Sequence, residues 1–141
     1  MEQTEYISKR VSETYDIGEE IGKAAVSGDL FVIYGELGAG KTHLVKGIAR
    51  GLEVPDWEYV LSPSFTLMNL YEGQRSLCHV DLYRLEGVDV EDLDIEEYLE
   101  KGVVVVEWAE RAVWPETAIR VTIKPLGEEE RKIIVNRPGK P

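Results

Sequence analysis

A chain of 141 residues has room for one domain and little beyond it. Its 27 acidic residues against 16 basic ones leave a net charge of -11. That balance argues against a protein that grips nucleic acid directly, because phosphate contacts need clustered Lys and Arg. The single cysteine, Cys78, excludes an internal disulfide, and neither a signal-like apolar core nor a membrane-length run occurs. The expectation is a cytoplasmic protein without membrane contact.

In chain order, the spacing of Ile17, Ile21 and Ala24 or Ala25 predicts a helix over residues 14–27, with Ser12 or Thr14 available as its cap. Gly28 and Asp29 turn the chain into a short apolar run at 30–34, suited to a buried strand. The next helix spans 42–52, with Leu44, Val45, Ile48 and Leu52 as its inner stripe. Beyond Pro55, residues 59–71 read as a loop leading into a strand, and 77–82 as a further strand with Cys78 buried in it. An acidic amphipathic helix is expected over 91–100, stopped by Gly102, and the β-branched run 103–106 fits only a central strand. Residues 119–123 and 132–135 flank a turn around Gly127 and are expected to pair as a hairpin at the sheet's edge, before a frayed tail at 136–141. The pattern is that of a single α/β domain over 1–141: a mainly parallel central sheet flanked by helices, with a C-terminal antiparallel hairpin.

Between the first strand and second helix lies Gly35-Glu36-Leu37-Gly38-Ala39-Gly40-Lys41-Thr42, which satisfies G-x-x-x-x-G-K-[ST] in full. Glycines permit the backbone angles that turn successive N–H groups inward around phosphate oxygens. Lys41 then places a point charge on the β- and γ-phosphates, Thr42 offers a hydroxyl to Mg²⁺, and the following helix aims its positive dipole end at the same anion. The motif falls after a strand and before a helix, as its mechanism requires. It predicts a P-loop NTPase fold that binds ATP with Mg²⁺.

Such a loop needs an acid to hold the metal and order the attacking group. Two candidates end apolar strands, Glu107 after the run of valines and Asp81 after Val80. Which of them touches magnesium is left open by the sequence. Thr66 occupies the position where nucleotide switches sense a γ-phosphate, although a plain strand threonine reads equally well. His43, just after Lys41 and Thr42, is read as a bystander close to phosphate, and His79 as structural. Trp108 is either a core aromatic or a lid.

Four blocks, GELGAGKT, SPSFTLMNLY, HVDLYRL and VVVVEWAER, occur in this order and together resemble the TsaE (YjeE) family over residues 12–135. The resemblance implies a small ATPase of tRNA threonylcarbamoyladenosine synthesis that acts on a complex of TsaD and TsaB. It would meet tRNA only through that complex, be monomeric or weakly self-associating alone, and leave the transfer itself to TsaD. It also implies a switch segment at 62–66, metal and γ-phosphate acids at Asp81 and Glu107, and a site tryptophan at Trp108. Arg131 would lie near the base or ribose, and Thr14 near the adenine side. His43 and Ser64 depart from the family's commoner Thr or Ser and Thr, respectively. Two rivals share a P-loop. A small-molecule kinase would want an arginine-bearing lid, and a GTP switch an Asn-Lys-x-Asp segment, and neither is present in the sequence. A nucleotide-dependent binding module with negligible turnover remains a third reading.

Overall fold

The computed structural model describes residues 2–36, 38–60, 68–83 and 90–139. The chain runs β1 (Glu2–Ser8), α1 (Val11–Ala24), β2 (Leu30–Tyr34), α2 (Lys41–Gly51), β3 (Met68–Tyr71), β4 (Ser76–Asp81), α3 (Ile95–Leu99), β5 (Gly102–Glu107), β6 (Ile119–Pro125) and β7 (Arg131–Arg137). Short 3-10 turns stand at Trp57–Tyr59, Val90–Leu93 and Ala109–Arg111.

All strands join one seven-stranded sheet in the order β1-β7-β6-β2-β5-β4-β3. β2 and β5 are apolar on both faces, so they take the middle, where neither face meets water. Phe31, Ile33, Val103 and Val105 face one core together with Ile17, Ile21, Leu44 and Ile48 of α1 and α2. Leu30, Val32, Val104 and Val106 face a second core closed by Leu93, Ile95, Trp114 and Ala118.

The expected mainly parallel sheet is instead mixed. The pairs β6–β2, β2–β5 and β5–β4 are parallel, while β1–β7, β7–β6 and β4–β3 are antiparallel. The C-terminal hairpin of β6 and β7 forms, but it is not the edge, because β1 pairs along β7 from Glu2↔Arg137 to Ser8↔Arg131. β1 escapes a hydrophobic reading because its inward positions are Thr4, Tyr6 and Ser8, with exposed Glu5 and Ile7 between them and exposed Glu2 and Gln3 before. A polar, charged strand is a sound choice for an edge, since it discourages pairing with other chains.

Two helix boundaries also differ. α1 starts at Val11, so Ser12 and Thr14 lie inside it, and the capping position is Arg10, with no side-chain cap bond. Thr14 Oγ1 instead lies 2.7 Å from Ser8 Oγ, both residues buried, tying the helix's first turns to the end of β1. The acidic helix expected over 91–100 is broken at Asp94, whose φ of 51° is left-handed, leaving a 3-10 turn and the five-residue α3. No helix among the described residues is long and apolar enough to cross a membrane.

α1 and α2 cross at unusually short range because both carry glycines four residues apart, Gly18 and Gly22 against Gly47 and Gly51. A Cβ added at Gly18 would lie 2.5 Å from the Leu44 carbonyl oxygen and 2.9 Å from Gly47 Cα, and one at Gly51 would run into the Glu19 carbonyl. Arg50 adds ion pairs to Asp16 and Glu19 across the crossing. These are partly exposed and contribute little beside the packing. Gly51→Ala tests the point, since alanine favours a helix interior by about 1 kcal/mol, whereas overpacking here costs about 1–3 kcal/mol. Urea unfolding is expected to show net destabilisation, and a more stable variant would refute the close crossing.

Burial pushes the Cys78 thiol up from 9.0 to about 11. An acid whose folded pKa is raised keeps its proton in the native state after the unfolded chain has lost it, so stability falls as pH rises from 9 to 11. The loss is on the order of 2 kcal/mol. It is measured as the pH-dependent stability difference between wild type and Cys78→Ala, and a flat difference across that window would contradict it.

Candidate functional site

β2 ends at Tyr34, and the chain then turns back on itself through Ala39 N–H to Glu36 carbonyl, 3.0 Å. Gly38 and Gly40 adopt left-handed φ of 82° and 100°, and Gly40 caps α2 directly. Side chains resist this backbone, which is why glycine is required at both. Leu37, Thr66 and the rest of the segments 61–67 and 84–89 lie outside the described residues.

Lys41, first residue of α2, is only 5% exposed. Its ammonium donates to the Gly35 carbonyl and sits 3.3 Å from the centroid of the Trp108 ring. Burial lowers the lysine's pKa, and the carboxylates of Glu110, Glu107 and Asp81 oppose that shift. Glu110 also accepts a hydrogen bond from Gly35 N–H at 3.2 Å, so it braces the entry to the loop.

The two acids arrive together through strand register. β4 and β5 run parallel with Asp81 opposite Glu107, and β5 in turn pairs with β2, whose end leads into the glycine loop. Glu107 is 2% exposed, and its Oε2 lies 2.5 Å from Nε2 of the fully buried His79. Asp81 is more open and accepts the Tyr83 N–H at 2.8 Å. Its pKa is raised, mainly by partial burial and secondarily by Glu107, against the lowering effects of the Tyr83 N–H, His79 and Lys41.

Trp108 follows Glu107 with a left-handed φ of 58°, rare for a bulky side chain. Its ring also meets Tyr83 at 4.9 Å between centroids. Arg131, from β7, reaches the loop's back: Nε donates to the Ala39 carbonyl at 2.7 Å and Nη2 to Gly38 at 3.3 Å, while Nη1 serves Gly127 and Glu130. A cavity of about 350 Å³ brings together Gly38, Gly40, Lys41, Thr42, His43, Asp81, Tyr83, Glu107, Trp108 and Arg131. Burial lowers the pKa of His43, with Lys46 and Arg131 acting in the same direction, and its ring packs edge-on to Tyr15 at 5.6 Å.

Thus Gly38, Gly40, Lys41, Thr42, His43, Asp81, Glu107, Trp108 and Arg131 converge on one cavity wall, Ala39 is buried behind it, and Gly35 and Glu36 form the loop's start. Thr14 is not among the lining residues and is engaged with Ser8. Sequence reasoning passed over three contributors. Tyr83 and Glu110 fall inside the blocks HVDLYRL and VVVVEWAER but receive no role of their own there, and His79 reads as structural although it precedes Asp81 by two residues, and so shares its face of the strand.

Fold and site define an α/β protein with a mixed sheet and a glycine-rich strand-to-helix loop that presents a buried lysine to two strand-end acids. The family profile for "Threonylcarbamoyl adenosine biosynthesis protein TsaE" matches residues 8–133. This chain belongs to the TsaE family. It is 37% identical to the tRNA threonylcarbamoyladenosine biosynthesis protein TsaE of Aquifex aeolicus, over 94% of this chain and 96% of that protein. It is 36% identical to the protein of the same name from Bacillus subtilis, over 99% and 89%. The crystal structure of Bacillus subtilis YdiB superposes with a TM-score of 0.76 at 32% identity, covering 98% of this chain and 87% of that one.

Arg131 braces the glycine loop through charge-assisted hydrogen bonds, each contributing about 1.5–3 kcal/mol when formed by a charged group. Arg131→Ala is therefore expected to speed amide hydrogen exchange of residues 38–40 by about tenfold or more. Unchanged protection there would show that the loop keeps its shape without the guanidinium.

Proposed function

We propose that this protein is an ATPase of tRNA threonylcarbamoyladenosine biosynthesis that binds ATP·Mg²⁺ on the loop from Gly35 to Thr42 and acts on a TsaD–TsaB complex. Family membership supports the pathway. The observation that carries the chemistry is the buried ammonium of Lys41 at the start of α2, facing a cavity whose other wall is Asp81 and Glu107.

The residues fit a triphosphate. Left-handed Gly38 and Gly40 leave the loop backbone open towards the cavity, and a Cβ at Gly38 would touch nothing within 4 Å. The N-terminus of α2 adds its backbone N–H groups and dipole. Lys41 offsets charge on the β- and γ-phosphates. Thr42 and Glu107, directly or through water, with Asp81 beside them, are the residues that would hold magnesium, and the ion would supply neutralisation of the charge that develops on the phosphate. Among the described residues no group of three or more His, Cys, Asp or Glu forms a cage, which suits an ion that keeps waters and takes oxygens from its substrate.

In hydrolysis, water attacks the γ-phosphorus in line with the leaving oxygen, and the protein's part is positioning and charge. Asp81 orients the attacking water or the ion's outer shell. As the family resemblance implies, Thr66, which lies outside the described residues, would report the γ-phosphate, with the segments 62–66 and 81–85 responding to hydrolysis. Arg131 serves the nucleoside end through the loop it braces, whereas Thr14, buried against Ser8, is given no part in it. The modification itself stays with the partner complex, which this protein resets between rounds.

Lys41→Ala is expected to lower ATP hydrolysis by about a hundredfold or more, the scale for losing one charge-stabilising group. In a reconstituted reaction with TsaD and TsaB, repeated rounds of tRNA modification are expected to require both this chain and ATP. Multiple turnovers in its absence would overturn the assignment, as would full hydrolysis by Lys41→Ala.

A further inference from the structure

His79 is 0% exposed in a strand whose other inward residues are apolar or lie at the cavity. Its neighbour on the same face is Leu77, and its register partner on β5 is Val105. A leucine or valine would fill this place without a polar group to satisfy, so packing alone does not call for an imidazole. The ring's Nε2 lies 2.5 Å from Glu107 Oε2, short even for a bond to a carboxylate. Nδ1 is buried with no hydrogen-bond partner. A proton on Nδ1 would have no acceptor, so the neutral ring carries its proton on Nε2 and donates it to Glu107.

Resting on the ATPase reading above, we propose that His79 is a positioning residue for phosphoryl transfer, holding the Glu107 carboxylate in one orientation at the cavity wall. β4 thereby supplies two parts of the site from one face. Asp81 stands opposite Glu107 in register, and His79, one pleat behind, reaches diagonally to it. Glu107 is nearly out of water and three rotatable bonds from its backbone. The bond from the His79 imidazole fixes one carboxylate oxygen from the neighbouring strand, which narrows the orientations the group can take when a nucleotide arrives.

Two measurements on the full chain test this. The chain has only two histidines, so long-range ¹H–¹⁵N spectra assign His79 once His43→Gln is compared. His79 is expected as the Nε2–H tautomer with a far-downfield proton that disappears in Glu107→Ala; an unprotonated Nε2, or a signal indifferent to Glu107→Ala, would overturn the proposal. In the second, His79→Leu is expected to lower kcat for ATP hydrolysis by about 10–100-fold, the scale for outer-shell partners, with KM changed by less than about threefold. His79→Gln, whose amide nitrogen can replace Nε2, is expected to recover most of the loss. On a Glu107→Ala background His79→Leu is expected to add nothing. A multiplied loss, or Gln no better than Leu, sinks the positioning role. Hydrolysis indifferent to Lys41→Ala would instead remove the ATPase reading, and the hold of His79 on Glu107 is then decided by the spectra alone.

Discussion

An ammonium group held almost out of water is the constraint around which this molecule is arranged. Lys41 is buried at the first turn of a helix whose dipole already disfavours a cation there. Burial and dipole both push its proton off. What holds the charge in place is the Gly35 carbonyl of its own loop together with partners from distant parts of the chain: the face of Trp108 and the carboxylates of Glu110, Glu107 and Asp81. A site that gathers negative groups around one cation, and aims that cation into a cavity beside a helix N-terminus, is suited to anionic oxygen chemistry.

The fold's less obvious features serve that arrangement. Lys41 sits where it does because α2 leaves the end of β2 at once, and α2's own path is set by the glycine-to-glycine crossing with α1. The parallel register of β4 and β5 brings two acids level with one another without any sequence proximity between them. On the other side, the antiparallel extension through β6 and β7 is what carries Arg131 back to the loop's carbonyls. A sheet that ended at β6 would lack this brace. The mixed topology is thus the means by which a short chain reaches its glycine loop from both flanks.

The sequence made the parallel core legible because β2 and β5 are continuous apolar runs and the glycine loop has fixed chemistry at fixed spacing. Its acids at Asp81 and Glu107 were legible for the same reason, as polar residues ending apolar strands. β1 was not legible, since Thr4, Tyr6 and Ser8 are too polar to show a buried face, and its pairing along β7 spans nearly the whole chain. The break at Asp94 depends on a backbone angle that composition does not encode. His79 and Glu110 were missed because each acts through a partner more than 20 residues away, His79 on Glu107 and Glu110 on Gly35. Long-range polar pairing has no period to read.

Trp108 shows how backbone strain and site chemistry meet. Residues alternate along β5, so an extended chain would send residue 108 to the face of Val106, away from Lys41 and Glu107. A left-handed φ at this one position turns the chain at the strand's end, so the ring keeps its packing against the second core and also reaches over the Lys41 ammonium. That backbone costs about 1–2 kcal/mol for a residue other than glycine. A desolvated cation–π contact returns about 2 kcal/mol, and the aromatic contact with Tyr83 about 0.5–1.5 kcal/mol more. The following turn is held as well, since Trp114 Nε1 donates to the Ala109 carbonyl at 2.8 Å. The strain is therefore offset by the two contacts the ring makes, with the Lys41 ammonium and with Tyr83. Glycine at 108 would relieve the backbone and lose each of them, which is why a strained tryptophan, rather than a relaxed turn, follows Glu107.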